Sequence, residues 1–572
     1  MTIQTGARIN CSHTYDGRSR TLPNLMHHAC GLKVPAFFAF SKMHAQDPAA
    51  VCFCHFLTLV LKEHWMKQLK LLNLSKINYV LKGILVGAIA GAVVSVFRMA
   101  IYAVLNLMPA VYSFLRDNPA WITAWVAAVI IIAFLVILIG RDDPDIQGNG
   151  VAELKGQLQG TLKLNWWSIL WRKFTASTLV LGMGIPVGRE GPSIQIGGVV
   201  GQGINRLFKG NKTQENILIS SGAAAGLSAA FNAPMSGLVI ILEEVHHRFS
   251  SILILTVFSA SVTANFLAFH IFGSQPALAL GRLAEFPLED YLYLVLLGIF
   301  LALAGWFFQK VLFAVPKLYA KLPVPPYLLG FIPFLLVIPT GLYWEDMLGG
   351  GTSVITSIAP VRTATLTLLA ILIFKFILFQ IAYGSGIPAG MMIPMLTIGA
   401  VLGGLFGNFV LRGTGLEEEF MRNYVIFAMG GFFTAISKAP LTAIVLITEI
   451  TGSITQMMPI AVVCLTAYIF SDILGLEPID EITLYNKTNR YPTVFEGKLI
   501  YTDFFVEPNS YMDGMLMSEL IFPYNAKCTR IKRHANEFLP HRDTVLFSGD
   551  EVQIACDQGF LLQVKKYIDK LN

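Results

Sequence analysis

Charge is what this chain has little of. Only 14% of its 572 residues are Asp, Glu, Lys or Arg, against about 25% in an average soluble protein, which excludes a molecule whose whole surface faces water. The net charge of +6 is spread out, without runs of Lys and Arg interleaved with aromatics, so nucleic acid is not an expected partner. Seven cysteines form no CxxC pair, and their odd number excludes a closed disulfide framework. Cys52-Phe53-Cys54-His55 has no second ligand pair beside it, so neither a metal nor a cofactor is expected. No Gly-rich phosphate loop, Ser/His/Asp set or metal quartet accompanies the apolar runs, and an enzyme is not expected either.

What the chain has in abundance is apolar length. Hydrophobic residues make up 54%, mean hydropathy is +0.61, and runs of spanning length recur at 77–108, 121–140, 252–272, 291–315, 327–343, 366–382 and 458–474. A polytopic, all-α membrane protein follows. Residues 1–76 read as a leader, disordered or dispensable, without the order of a secretory signal; Met66, followed by Lys67 and Lys70, is an alternative start. After 484 the chain turns charged and alternates short β-like runs (499–506, 526–533, 551–555) with helical ones (515–520, 560–571). A small soluble α+β domain is expected over 485–572, near the lower size limit for independent stability.

The membrane part is a duplication. GMGIPVGREGPSIQIGGVVG at 182–201 returns 202 residues later as GSGIPAGMMIPMLTIGAVLG, with ten of twenty positions identical. APMSGLVIILEE from Ala233 returns as APLTAIVLITEI from Ala439, each with an acid ten positions on, Glu243 and Glu449. Halves of about 77–272 and 290–475 within a membrane domain of 77–484 fit a transporter or channel built from repeats. The copies differ where Arg189 and Glu190 become Met391 and Met392. Charge has been kept in one half only.

Pro192 sits where a first-turn proline needs no donor, so Gly188-Arg189-Glu190-Gly191 leads into a helix whose free amides and dipole form an anion site. Pro394 does the same after Gly390-Met391-Met392, where the amides of Met391 and Met392 are expected to point at an anion without side-chain charge. With an odd number of spans between the copies, the two helix starts converge near the membrane midplane from opposite sides.

These motifs carry a resemblance. GREGP at 188–192, Gly148-Asn149-Gly150-Val151-Ala152 (similar to GSGIP) and Gly390 to Pro394 (similar to GIFAP) fall in the order of the CLC family of chloride channels and chloride/proton antiporters. With AAGLSAAFNAPMSGLVIILEE the likeness covers nearly all of 77–484. It implies a CLC-like inverted-repeat helical fold, a homodimer with one pore per subunit, and exchange of chloride for protons. It also implies a multi-pass protein of the plasma membrane with both termini cytoplasmic. Glu190 would be the gate: a carboxylate beside an anion site repels the anion when charged and yields when protonated. Glu244, the second acid of LEE, would be the inner proton-transfer residue, and Glu449 structural. Anion contacts fall to Asn149, Gly188, Gly191, Met391 and Met392, and also to Arg189, although its guanidinium is expected to bond nearby carbonyls. Lys173 matches a family lysine that raises the potential near the pore; a Lys at a helix end is also a common interfacial anchor.

Two departures bear on selectivity. The family's serine is Asn149 here, whose amide still offers two N–H donors, and its proline is Ala152. The tyrosine that shares the central anion falls at Asp480, which either points away, is protonated, or yields the place to Tyr485 in another register. A passive voltage- or pH-gated chloride channel, or a fluoride- or nitrate-selective transporter, is the alternative function. The tail, with ELIFP at 519–523, TRIKR at 529–533 and FSGDEVQI from Phe547, resembles the TrkA-C (RCK-C) domain of potassium transport regulators. That implies either a stabilising or dimerising domain or a sensor of a small-molecule ligand.

Overall fold

Helix α1, Leu74–Leu105, opens the described part of a computed structural model that covers residues 74–572 apart from 247–249, 279, 282, 360–362, 415–417, 491–498, 509, 525, 534–535 and 558–559. The expected leader up to residue 73, with Met66 and Cys52–His55, lies outside the described residues. The first half continues with α2 (Met108–Asp117), α3 (Ile122–Arg141), α4 (Val151–Gln159), α5 (Trp166–Gly182), α6 (Glu190–Leu207), α7 (Lys212–Phe231), α8 (Pro234–Ile240) and α9 (Ser251–Phe272). The second half holds α10 (Tyr291–Tyr319), α11 (Phe331–Tyr343), α12 (Thr352–Ile358), α13 (Thr365–Gly384), α14 (Met392–Thr414), α15 (Met421–Ser437), α16 (Pro440–Thr451) and α17 (Met457–Ile473), and α18 (Ile479–Arg490) follows it.

Seven helical stretches among the described residues are long and apolar enough to cross a bilayer. Six coincide with expected runs. The run at 327–343 forms a shorter apolar helix, and the seventh stretch is Met392–Gly413, 83% of whose apolar window is inside the molecule, compared with 17% for Pro119–Arg141. The helix that opens the second anion motif is therefore encased by protein while α3 faces outward. Without a hydrophobic drive between helices in lipid, close packing needs small residues. Gly83, Gly87 and Gly91 of α1 supply this, one per turn, lying so near Thr256, Ala260 and Ala264 of α9 that any Cβ would strike backbone.

Symmetry shows in contacts as well as in sequence. Gly188 and Gly390 exchange backbone hydrogen bonds of 2.8 and 2.7 Å in an antiparallel bridge. Lys173 Nζ donates to the Ile146 and Gly148 carbonyls (2.7 and 2.8 Å), and its mate Lys375, 202 residues on, donates to those of Met347 and Gly349 (2.7 and 3.0 Å). Glu243 beyond the end of α8 accepts the Leu441 and Thr442 amides at the start of α16, while Glu449 near the end of α16 accepts those of Met235 and Ser236 at the start of α8. Each helix's end meets the other's start, so α8 and α16 run antiparallel and the halves are oppositely oriented.

The tail is a four-stranded antiparallel sheet of order β1-β4-β2-β3, from Leu499–Phe505 (β1), Lys527–Arg533 (β2), Asn536–Phe538 (β3) and Glu551–Asp557 (β4), with helix α19, Leu561–Leu571. Its own core gathers Val506, Ile531, Val552, Ile554, Val564 and Ile568. The expected helix at 515–520 is absent: that segment is turn, and Leu516 makes a single bridge to Val545. Six residues give too few hydrogen bonds to repay helix nucleation.

Candidate functional site

Four helix starts meet at one small cavity. It is lined by Asn149 and Val151 at the start of α4, Glu190 and Gly191 opening α6, Met391 and Met392 at α14, and Ile479 and Asp480 opening α18; Glu244 and residues of α15, Phe433 and Ser437, complete it. Each start contributes free amides and the positive end of a helix dipole. Sequence motifs pointed to three of these starts as an anion site; the fourth, α18, enters through the chain that leaves the second half.

The Glu190 carboxylate lies in the place where such a site would hold an anion. Its Oε1 accepts the Ile393 amide at 2.9 Å, so the acid of one repeat sits on the helix start of the other. The donor is one residue beyond the expected Met391 and Met392 amides, whose residues line the cavity. Two glycines make this fold-back possible. A Cβ at Gly188 would land on the Glu190 carboxyl and one at Gly191 on Asn149.

Glu244 stands elsewhere on the same cavity wall. It belongs to a π-helical turn, Ile241–His246, a widened geometry common at functional sites. The turn sends adjacent acids to different jobs: Glu243 caps α16, while Glu244 is 6% exposed and lines the cavity. His246 of this turn contacts Ser220 Oγ at 2.7 Å; His247 and Arg248 lie outside the described residues. Glu190 Oε2 and Glu244 Oε1 are buried with no hydrogen-bond partner among the described residues.

Several expected residues stand otherwise than expected. Arg189 turns away from the cavity, bonding the Tyr102 hydroxyl instead of carbonyls, with its guanidinium over the Tyr102 and Phe231 rings; aromatic faces hold a half-buried cation where carboxylates are wanting. Lys173 is fully buried and spent on two carbonyls, so it is no snorkelling anchor; it fixes the loop that carries Asn149. Tyr485 does not line the cavity. It is 36% exposed, five residues along α18 from Asp480, and the tail's Lys566 lies over its ring at 5.2 Å. Asp480 does line the cavity, its Oδ1 accepting from Asn149 Nδ2 at 3.2 Å. The amide of Asn149 is thus already engaged by a carboxylate. Ile393 and Ser437 were missed; Pro394, the third residue of α14, was the available signal for the first.

This architecture, oppositely oriented helical repeats whose helix starts enclose a buried carboxylate, defines an ion-transport protein of the membrane. Residues 128–472 match the family model described as voltage gated chloride channel, and 501–569 match the TrkA-C domain. The chain belongs to the voltage gated chloride channel family, the CLC proteins, and carries a TrkA-C domain at its end. Among its relatives is the H(+)/Cl(-) exchange transporter ClcA of Yersinia pestis bv. Antiqua (strain Angola), 31% identical over 373 residues, 63% of this chain and 77% of the relative. ClcA of Vibrio cholerae serotype O1 (strain M66-2) is 31% identical over 422 residues, 69% and 86% of the two chains. A slow cyanobacterial Cl-/H+ antiporter of known structure superposes with a TM-score of 0.68 at 29% identity, covering 72% of this chain and 98% of that one. A CLC-type fluoride/proton antiporter (TM-score 0.57, 19% identity, 69% and 96% coverage) shares the fold.

Proposed function

We propose that this protein is a proton-coupled chloride antiporter, a homodimer in the plasma membrane with a separate pore in each subunit and both described ends of the chain on the cytoplasmic side. The observation that carries this reading is the Glu190 carboxylate on the Ile393 amide with Glu244 on the wall of the same cavity. Ionised, Glu190 takes the donor an anion would use, and like charges about 4 Å apart repel by about 4 kcal/mol at an effective dielectric of about 20. Protonated, it loses that charge and a charge-assisted hydrogen bond, so an anion can displace it. A proton thereby enters the cycle in exchange for chloride, and Glu244 passes it to or from the cytoplasm. Asn149, Gly188, Gly191 and the helix starts at Met391 and Met392 form the anion's surroundings; Arg189 and Lys173 hold loops in place. A buried acid at Glu244 favours exchange over passive conduction, which needs no second titrating site.

The tail would serve as a regulatory or dimerising domain responsive to a small-molecule ligand. Lys566 of α19 reaches both Glu477, 3.7 Å away, and Tyr485, contacts that join the tail to the segment bearing Asp480. The deciding experiment is proton movement in liposomes under a chloride gradient. Uphill proton pumping is expected; anion flux without proton movement would replace exchange with passive conduction.

A further inference from the structure

Three carboxylates line the cavity, and none of them has a cation within salt-bridge distance among the described residues. Glu190, Glu244 and Asp480 are 1, 6 and 8% exposed. The nearby cations stand outside salt-bridge reach: Lys487 pairs with Glu153 and Asp145 at 2.9 and 3.0 Å, and buried Lys155, 3.8 Å from Glu481, acts on Asp480 and Glu244 only from a distance. The titratable and charged groups that act on Asp480 are Glu153 and Lys155 of α4, Glu244 after α8, Tyr383 of α13 and its own neighbour Glu481; Glu190 of α6 shares its cavity. Three like charges in one enclosed space repel each other, and a bound anion would add a fourth. Protons are the natural means of reducing that charge.

Resting on the antiport reading, we infer that Asp480 is a third exchangeable carboxyl, carrying the proton between Glu244 and Glu190 and admitting chloride beside Asn149 only when it holds that proton. Its chemistry suits both tasks. As a carboxylate it accepts the Asn149 Nδ2 hydrogen at 3.2 Å and excludes a second anion. As a carboxylic acid it presents an O–H donor, the same kind of group as the tyrosine hydroxyl that the resemblance places at this position. In each transfer Glu244 gives its proton to the Asp480 carboxylate and becomes a carboxylate. Asp480 then gives it to Glu190 and is ionised again, and Glu244 is reprotonated from the cytoplasm. Asp480 thus turns the central anion site into one that opens by protonation.

The test compares Glu190→Gln with Glu190→Gln/Asp480→Asn in the full chain by chloride calorimetry between pH 5 and 8. With the outer gate silenced, binding to the first variant should weaken by up to about tenfold per pH unit as pH rises, the slope for one linked proton. In the double variant that slope should fall to the smaller part that Glu244 alone contributes. Equal slopes in the two would overturn the proposal. In liposomes Asp480→Asn should lower the ratio of protons to chloride moved by about tenfold, while Asp480→Glu, which still titrates, should restore it; an unchanged ratio in Asp480→Asn, or no rescue by Asp480→Glu, also defeats the proposal. Wild-type protein that moves chloride without protons would defeat the antiport reading instead, a result distinct from equal calorimetric slopes.

Discussion

Glu243 and Glu449 are mates in the duplicated sequence, and each closes the start of the helix that carries the other. Glu243 takes the Leu441 and Thr442 amides and Glu449 the Met235 and Ser236 amides, satisfying donors that a helix start leaves free. The pair fastens the inverted halves to each other next to the turn that delivers Glu244. Their bonds are those of a scaffold, although they sit in the same motifs as Glu244, the proposed proton-transfer residue.

Glu449→Ala should therefore cost about 2–4 kcal/mol, from three lost hydrogen bonds to the carboxylate, those of the Met235 and Ser236 amides and the Ser236 hydroxyl, of about 1.5–3 kcal/mol each and largely offset by water at this partly exposed site. Thermal unfolding in detergent would register it, and the coupling ratio of the folded fraction should not change. A changed ratio at unchanged stability would move Glu449 from the scaffold into the transport path.

At the gate, Glu190→Gln cannot ionise. Proton transport should stop while anion flux persists and loses the pH dependence that Glu190 confers. Parallel chloride and proton electrodes on one liposome sample check both, and retained coupling would place the gate elsewhere.

Glu244→Gln should also stop protons, yet leave the flux sensitive to pH from the Glu190 side, because Glu190 still takes the Ile393 amide. Residual coupling equal to wild type would relocate the proton entrance, with His246 as the next candidate on the same turn.

Met391 and Met392 line the cavity, but helix-start amides are what would hold an anion there. Met392→Leu preserves volume and backbone and should keep chloride affinity within about threefold, since like-sized apolar exchanges cost little. A loss of tenfold or more by calorimetry would make the thioether itself a contact.

In the tail, Arg533 forms a two-pronged pair with Asp550 (2.7 and 2.6 Å), and that hydrogen bonding raises the guanidinium further above its already high range. A raised cation stabilises at every pH below its unfolded value, so this pair should support the tail undiminished from pH 5 to 9. Cys528 behaves differently: burial pushes its thiol up to about 11, so protonation favours the folded state below about pH 8.5, the value of a free thiol, and that support is lost as pH rises towards 11. Maleimide labelling of folded protein at pH 8 should accordingly be slow at Cys528, and labelling as fast as that of a free peptide thiol would contradict its burial.

Much of this molecule is legible in its sequence. The duplication, the apolar spans and the Gly-Pro helix starts are local patterns, and local patterns persist because backbone amides and apolar lengths obey the same rules wherever they occur. Even Lys375 could have been found by adding the repeat spacing of 202 to Lys173. The short runs were less readable: 515–520 looked helical but lies in a turn, since six residues have no helical stability without packing. What tertiary structure alone decided is which groups share a space. That Glu190 rests on Ile393 of the other half, that Glu243 and Glu244 part company at a π-turn, and that Asp480 rather than Tyr485 meets Asn149 depend on contacts between residues separated by about 200 to 330 positions. Hydrogen-bond geometry and the dielectric of an enclosed cavity act over a few ångströms, and chain position carries no record of those distances until the helices have packed.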